Sequence, residues 1–255
     1  MNRFRLGAVV ALAVSAALAG VAPRAQASAE VHKFSLIISA IPTSIDGGSL
    51  NTTIKYFNDT QLTPKGLEGL SEIQFGWMFD AELHYFVRPN VAVGVGVGQI
   101  RGETQREFLP ALSQDIQIRA ELLSVPIHAG LDYYFTPYNQ GDFQARAYVG
   151  AGALGTVGNK ALLQQQETGT DSTTTLGGSY VRAVTRDSPG YYLETGVHMF
   201  FASKFSVMLG GVYRSIVVRD MVDRDTGQPV LDPTGKPFTL NVSGIGAKMA
   251  IGIGF

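Results

Sequence analysis

The side chains able to do chemistry in this 255-residue chain are few, and most fall in alternating segments. His84, His128 and His198 share one phase of such segments with Glu194, and imidazole with carboxylate is a donor set that binds transition metals. The commoner arrangement is a histidine that hydrogen-bonds to a neighbouring carboxylate, so no metal and no cofactor are expected. Asp80-x-Glu82 is an acidic pair in mid-segment, which reads as interior packing. Asp223-x-Asp225 lies near Gly227 but lacks the spacing of a calcium loop. There is no His-x-Ser pair of the kind that arms a serine nucleophile on a strand, and no catalytic residue is expected.

The elements that must position these groups are strands. Phe75, Trp77, Phe79, Ala81, Leu83 and Tyr85 alternate with Gly76, Met78, Asp80, Glu82, His84 and Phe86. Val91 to Val97, Val125 to Tyr133, Tyr191 to Phe201 and Ile245 to Phe255 alternate in the same way. Weaker alternation covers 34–41, 143–156 and 205–215. Period two marks strands with two unlike faces, and eight of them are predicted. The fourth begins at Ile116, with Ile118, Ala120 and Leu122 on its apolar side. Its phase changes at Leu122-Leu123, which predicts a bulge.

The connections alternate between long (42–73, 102–115, 157–189, 217–242) and short (88–90, 136–142, 202–204). An even number of strands joined in that rhythm describes a transmembrane barrel with short periplasmic turns and long external loops. Aromatics gather at strand ends: Phe34, Tyr85, Tyr133, Phe135, Phe143, Phe201, Phe205 and Phe255 on one side, Phe75, Trp77, Tyr191 and Tyr213 on the other. Two such girdles around an aliphatic band fit a bilayer. The opposite phase then faces a lumen holding Asp80, Glu82, Glu121, Asp132 and Glu194 against Lys33, Arg119, Arg146, Arg214 and Lys248. Buried charges must be paired, so a salt-bridge network that fills the barrel is expected, with a narrow gated pore as the alternative. The loops carry Gln164-Gln165-Gln166, Thr173-Thr174-Thr175 and Thr-Gly-x-Pro repeats at Thr226 and Thr234, the latter predicting a protruding hairpin with two turns.

Composition agrees. Thirty glycines and 16% charged residues stand well above and below the ~7% and ~25% of ordinary proteins. Arg3 and Arg5, the apolar stretch from Leu6 to Ala22 and Ala-x-Ala sites ending at Ala27 or Ala29 predict a Sec-type signal peptide over 1–27 and a barrel domain over 30–255. Loss of Arg3, Arg5 and Arg24 leaves 17 basic against 21 acidic residues, which excludes nucleic acid as an expected partner. The absence of cysteine suits an exported chain.

Val125-Pro126-Ile127 running into Leu131-Asp132-Tyr133-Tyr134-Phe135, the Tyr148-Val149-Gly150-Ala151-Gly152 strand and a terminal Phe255 resemble the small eight-stranded outer-membrane barrel superfamily. That group includes the opacity-protein and attachment–invasion types and the transmembrane domain of outer-membrane protein A. The resemblance implies a non-enzymatic envelope protein with a structural or adhesion-like role, embedded in outer-membrane lipid and meeting a surface partner through its loops. It also implies delivery by the barrel-assembly machinery, with Met249, Ile251, Ile253 and Phe255 as the assembly signal, although Ile253 replaces the usual aromatic. A small diffusion pore and a lipid-modifying enzyme are the alternatives.

Overall fold

A computed structural model describes residues 32–111, 114–169, 175–185, 187–201 and 204–255; the predicted signal peptide lies outside them. Eight antiparallel strands close a barrel: β1 (Phe34–Ser44), β2 (Phe75–Arg88), β3 (Val91–Ala111), β4 (Gln114–Tyr134), β6 (Phe143–Gly169), β8 (Ser188–Phe201), β9 (Phe205–Val218) and β12 (Gly244–Gly254). The ring closes where β1 pairs with β12, from Ser35↔Gly254 to Thr43↔Gly246. The shorter strands are β5 (Tyr138–Gln140), β7 (Thr175–Thr185), β10 (Val222–Asp223) and β11 (Leu240–Asn241).

The outward face is the apolar phase of the sequence. Ile38, Phe79, Val95, Leu131, Leu193 and Ile251 are exposed in a band, and such a surface is stable against hydrocarbon rather than water. Rings cluster at both margins: Phe34 packs on Tyr85 and Phe255 at one end, while Trp77 packs between Phe75 and Phe79 at the other. Closure pairs both edges of the eight barrel strands, which spanning a bilayer requires.

The interior has three levels. The floor, at the short-turn end, is a cluster built from Phe86, Tyr134, Tyr148 and Phe200 with Ile37 and Met208. The middle is polar. The roof is apolar and comes from the first long connection, where a helix, α1 (Ser49–Phe57), folds over the mouth. Leu50, Ile54 and Phe57, spaced four and three apart, lie on its buried face. They join Ile118, Leu122, Leu163, Ile216 and Phe238 in one core. Two asparagines clamp the connection. Asn51 donates to the carbonyls of Asp46 and Ile73 and accepts from Ile73 N–H, and Asn58 bonds in both directions to Leu70.

The roof corrects three expectations. First, β3 and β4 stay in register from Val91↔Tyr133 to Phe108↔Ile116, with no phase change at Leu122-Leu123. Ile118, Ala120 and Leu122 point inward throughout; the interior itself turns from polar to apolar beneath α1. The bulge sits instead on β6, where Val157 and Gly158 lie between the partners of Ser124 and Pro126. Second, 102–111, 114–115 and much of 157–189 are strands rather than loops, and they extend β3–β4 and β6–β7 beyond the aromatic margin. Third, 217–242 makes its two turns but folds back over the mouth, burying Phe238, Leu240 and Val242.

Candidate functional site

Between floor and roof, β2 contributes Asp80, Glu82 and His84, β4 contributes His128 and Asp132, β8 contributes Glu194 and β12 contributes Lys248, all buried. Alternation places each inward, and register decides who meets whom. Lys248 Nζ lies 2.8 Å from Glu194 Oε2 and 3.4 Å from Glu82 Oε2. His84 Nε2 lies 2.9 Å from Glu82 Oε1 and 3.5 Å from Asp132 Oδ2. His128 Nε2 is 2.9 Å from Asp80 Oδ1. A cavity of about 30 Å³ separates this layer from the roof, lined by Asp80, Glu82, His128, Tyr192, Glu194 and Lys248 among others. That volume holds only one or two waters.

Two glycines make the layer possible. A Cβ on Gly94 of β3 would stand 2.1 Å from Glu82 Oε1, and one on Gly150 of β6 would stand 2.0 Å from Asp132 Oδ1. Without those side chains, groups on β2, β4 and β8 reach one another across the strands between them.

The predicted network is therefore smaller than five acids against five bases. Asp80, Glu82, Asp132, Glu194 and Lys248 come together in one layer. Arg146 is inside but at the floor, donating to Gln144 Oε1 and the Pro89 carbonyl and lying over the Phe200 ring. Arg214 is 1% exposed yet meets no carboxylate among the described residues. Its guanidinium donates to the carbonyls of Val242 and Ser44 and to Thr43 Oγ1, tying β9 to the roof. Arg119 and Glu121 are corrected outright: both lie on the outer face of the extension, in a chain of ion pairs with Arg101, Glu103 and Lys160. Lys33 is also outside, over the Tyr85 ring. Both misplacements on β4 follow from the phase change that the strand does not make.

The three histidines are inward, as predicted, but occupy separate places. His198 sits in the floor, with Nε2 2.8 Å from Ser206 Oγ and Nδ1 3.1 Å from the Tyr134 hydroxyl. Ser–His–Tyr is the connectivity of a nucleophile, a base and an orienting group, yet Ser206 is 4% exposed beneath packed rings. No sequence spacing announces this trio, because its members come from three strands. The Asp223-x-Asp225 pair is spoken for: Asp223 Oδ1 accepts from Thr226, and Asp225 Oδ2 pairs with Arg182 at 2.8 Å. Met249, Ile251 and Ile253 line the lipid face of β12, and the exposed Phe255 follows its end.

Among solved structures the chain is similar to Neisserial surface protein A (15% identity, 88% of this chain and 97% of that one, TM-score 0.42). It is also similar to the attachment invasion locus protein Ail of Yersinia pestis (9%, 88% and 98%, 0.31) and to the outer membrane protease OmpT of Escherichia coli (8%, 89% and 100%, 0.29). No curated protein sequence gives a significant match. Residues 10–245 match the family described as the outer membrane protein beta-barrel domain. With closed antiparallel strands, a lipid-facing apolar band and polar groups turned inward, this chain belongs to that outer-membrane barrel family.

Proposed function

We propose that this protein is a closed-lumen, non-catalytic barrel that presents its extended hairpins to a partner at the cell surface. The observation that carries the reading is the roof: α1 and the last long connection bury Leu50, Ile54, Phe238 and Leu240 across the mouth. A polar layer and an aromatic floor lie below. Three stacked levels of packed side chains suit an element that spans and seals rather than one that conducts. The nucleophile–base pair found among the described residues, Ser206–His198, is buried in the floor, away from lipid and solvent alike.

The surface role rests on what stands beyond the girdle. Trp77 is in register with Arg101, so the strand residues above that row project past the membrane margin. There Arg101, Glu103, Arg119, Glu121 and Lys160 form a mixed-charge face on β3, β4 and β6, suited to polar recognition rather than to lipid. Export on residues 1–27 and delivery through the barrel-assembly machinery, with residues Met249 to Phe255 as its mark, complete the proposal.

The test has two arms. Purified, refolded protein in planar bilayers is expected to be electrically silent, and stepwise conductance would favour the pore reading instead. Cells displaying the protein are expected to lose binding to host-cell or matrix surfaces when the 105–117 hairpin is replaced by a short turn, with the heat-dependent gel shift of a folded barrel retained. Unchanged binding would remove the surface role.

A further inference from the structure

The polar layer carries an electrostatic imbalance. Asp80, Glu82, Asp132 and Glu194 face one lysine, Lys248, and two histidines, His84 and His128, in a layer between the roof and the floor. Uncompensated carboxylates in such surroundings are expensive. Several polar atoms are also buried without a hydrogen bond among the described residues: both ring nitrogens of His84, Asp132 Oδ1 and Glu194 Oε1. His84 Nε2 is near enough to Glu82 and Asp132 for an ion pair.

We propose that Glu82, His84 and Asp132 form a zinc site inside the barrel. One ligand atom from each residue lies within 4.8 Å of the other two, and all three residues are buried. Zinc with bonds of ~2.0–2.1 Å holds tetrahedral ligands about 3.3–3.4 Å apart. The observed Nε2–O separations of 2.9 and 3.5 Å straddle that edge. One imidazole and two carboxylates form a mixed N/O set that suits zinc better than calcium or magnesium, which take oxygen alone.

The surroundings are built for it. Glu82 and His84 sit two apart on β2 and Asp132 on β4, with β3 between them. At the level of His84, β3 offers Gly94, whose missing side chain leaves the gap open. On the far side Gly150 clears room for Asp132 Oδ1, and Glu194 occupies the same row. Lys248 anchors Glu82 through Oε2, leaving Oε1 turned to His84. With the histidines neutral, four carboxylates against Lys248 leave three excess negative charges, and a divalent ion would cancel two of them. With the roof above and the floor below, the ion is expected to be taken up as the barrel closes and to be held afterwards.

The experiment refolds the full mature chain with zinc or with chelator, removes free metal, and measures bound metal by mass spectrometry. Wild type is expected to retain about one zinc per chain, resistant to chelator added after folding. H84Q and D132N are expected to retain at least ~10-fold less, while H32Q retains the wild-type amount. The heat-dependent gel shift reports barrel closure for each variant. If a variant fails to close, refolding wild type with cobalt supplies the second reading: the intense visible bands of four-coordinate Co²⁺ support the site. Zinc-free wild type, equal zinc in H84Q, D132N and wild type, or loss of zinc in H32Q alone would overturn it.

Discussion

Lys248 and Glu194 meet 2.8 Å apart inside the barrel, although they lie on strands that do not pair with each other. The contact crosses the lumen rather than the sheet, and the same ammonium reaches Glu82 on a third strand. One side chain thus joins β2, β8 and β12 within the polar layer.

Removing it should be severe. Lys248→Met keeps the volume but leaves buried carboxylates without their cation, a change that costs about 3–5 kcal/mol. Urea unfolding followed by the fluorescence of Trp77, the sole tryptophan, should shift by that amount. Ile253→Met, a lipid-facing change on the same strand, should leave the midpoint close to wild type.

The lipid face has its own signature. Leu131 is 59% exposed in the middle of the apolar band, and Leu131→Arg should destabilise the barrel by about 2–4 kcal/mol in bilayers of native thickness. Refolding equilibria in phospholipid vesicles measure this directly, and a near-neutral result would place the bilayer elsewhere on the strand.

Ile54→Asp should loosen the roof without opening the barrel. Amides of α1 are expected to exchange faster with deuterium, while planar-bilayer recordings stay silent because the polar layer and the floor remain. Conductance in this variant would show the roof to be the only seal.

Acid should unpick the outer turns before it affects the barrel. Backbone and hydroxyl hydrogen bonds from Thr226 hold the exposed Asp223 carboxyl below the usual carboxylate range, and the Thr234 hydroxyl does the same for Asp232. A lowered value in the folded state means that the turns gain stability above the ordinary carboxyl pKa near 3.9 and lose it as pH falls through the lowered value. NMR shifts of the Thr226 and Thr234 amides should move together with these carboxyls below about pH 4. In Asp223→Asn the Thr226 response should disappear.

What could be read in the residues follows what the solvent imposes. Lipid demands an unbroken apolar face, so Phe75, Trp77 and Phe79 or Tyr191 and Leu193 declared the strands and their outward phase. Asp80, Glu82, Asp132 and Glu194 declared the other side. Their partners could not be read, because a contact such as His84 to Asp132 depends on the register of two strand pairs and on the glycine between them. The roof was hidden for a different reason. Its helix has nine residues, is rich in β-branched side chains, and shows its buried stripe only against a core assembled from distant strands. Without the roof, Ile118 and Leu122 look lipid-facing and Arg119 and Glu121 look internal, so one unseen helix reversed the assignment of four residues.

The roof also reaches across the place where the chain's first and last strands join. Ser49 N–H bonds to the Thr239 carbonyl and Gly47 N–H to the Asn241 carbonyl, while Ser44 Oγ accepts from Ile245 N–H and Arg214 grips the Ser44 carbonyl. These bonds link the segment after β1 to the segment before β12, above the seam between them. They tie together the segments that flank the joined ends of the sheet, so the lid acts as a latch over the seam. A barrel so latched cannot part sideways into the membrane at its outer half unless the lid lifts first.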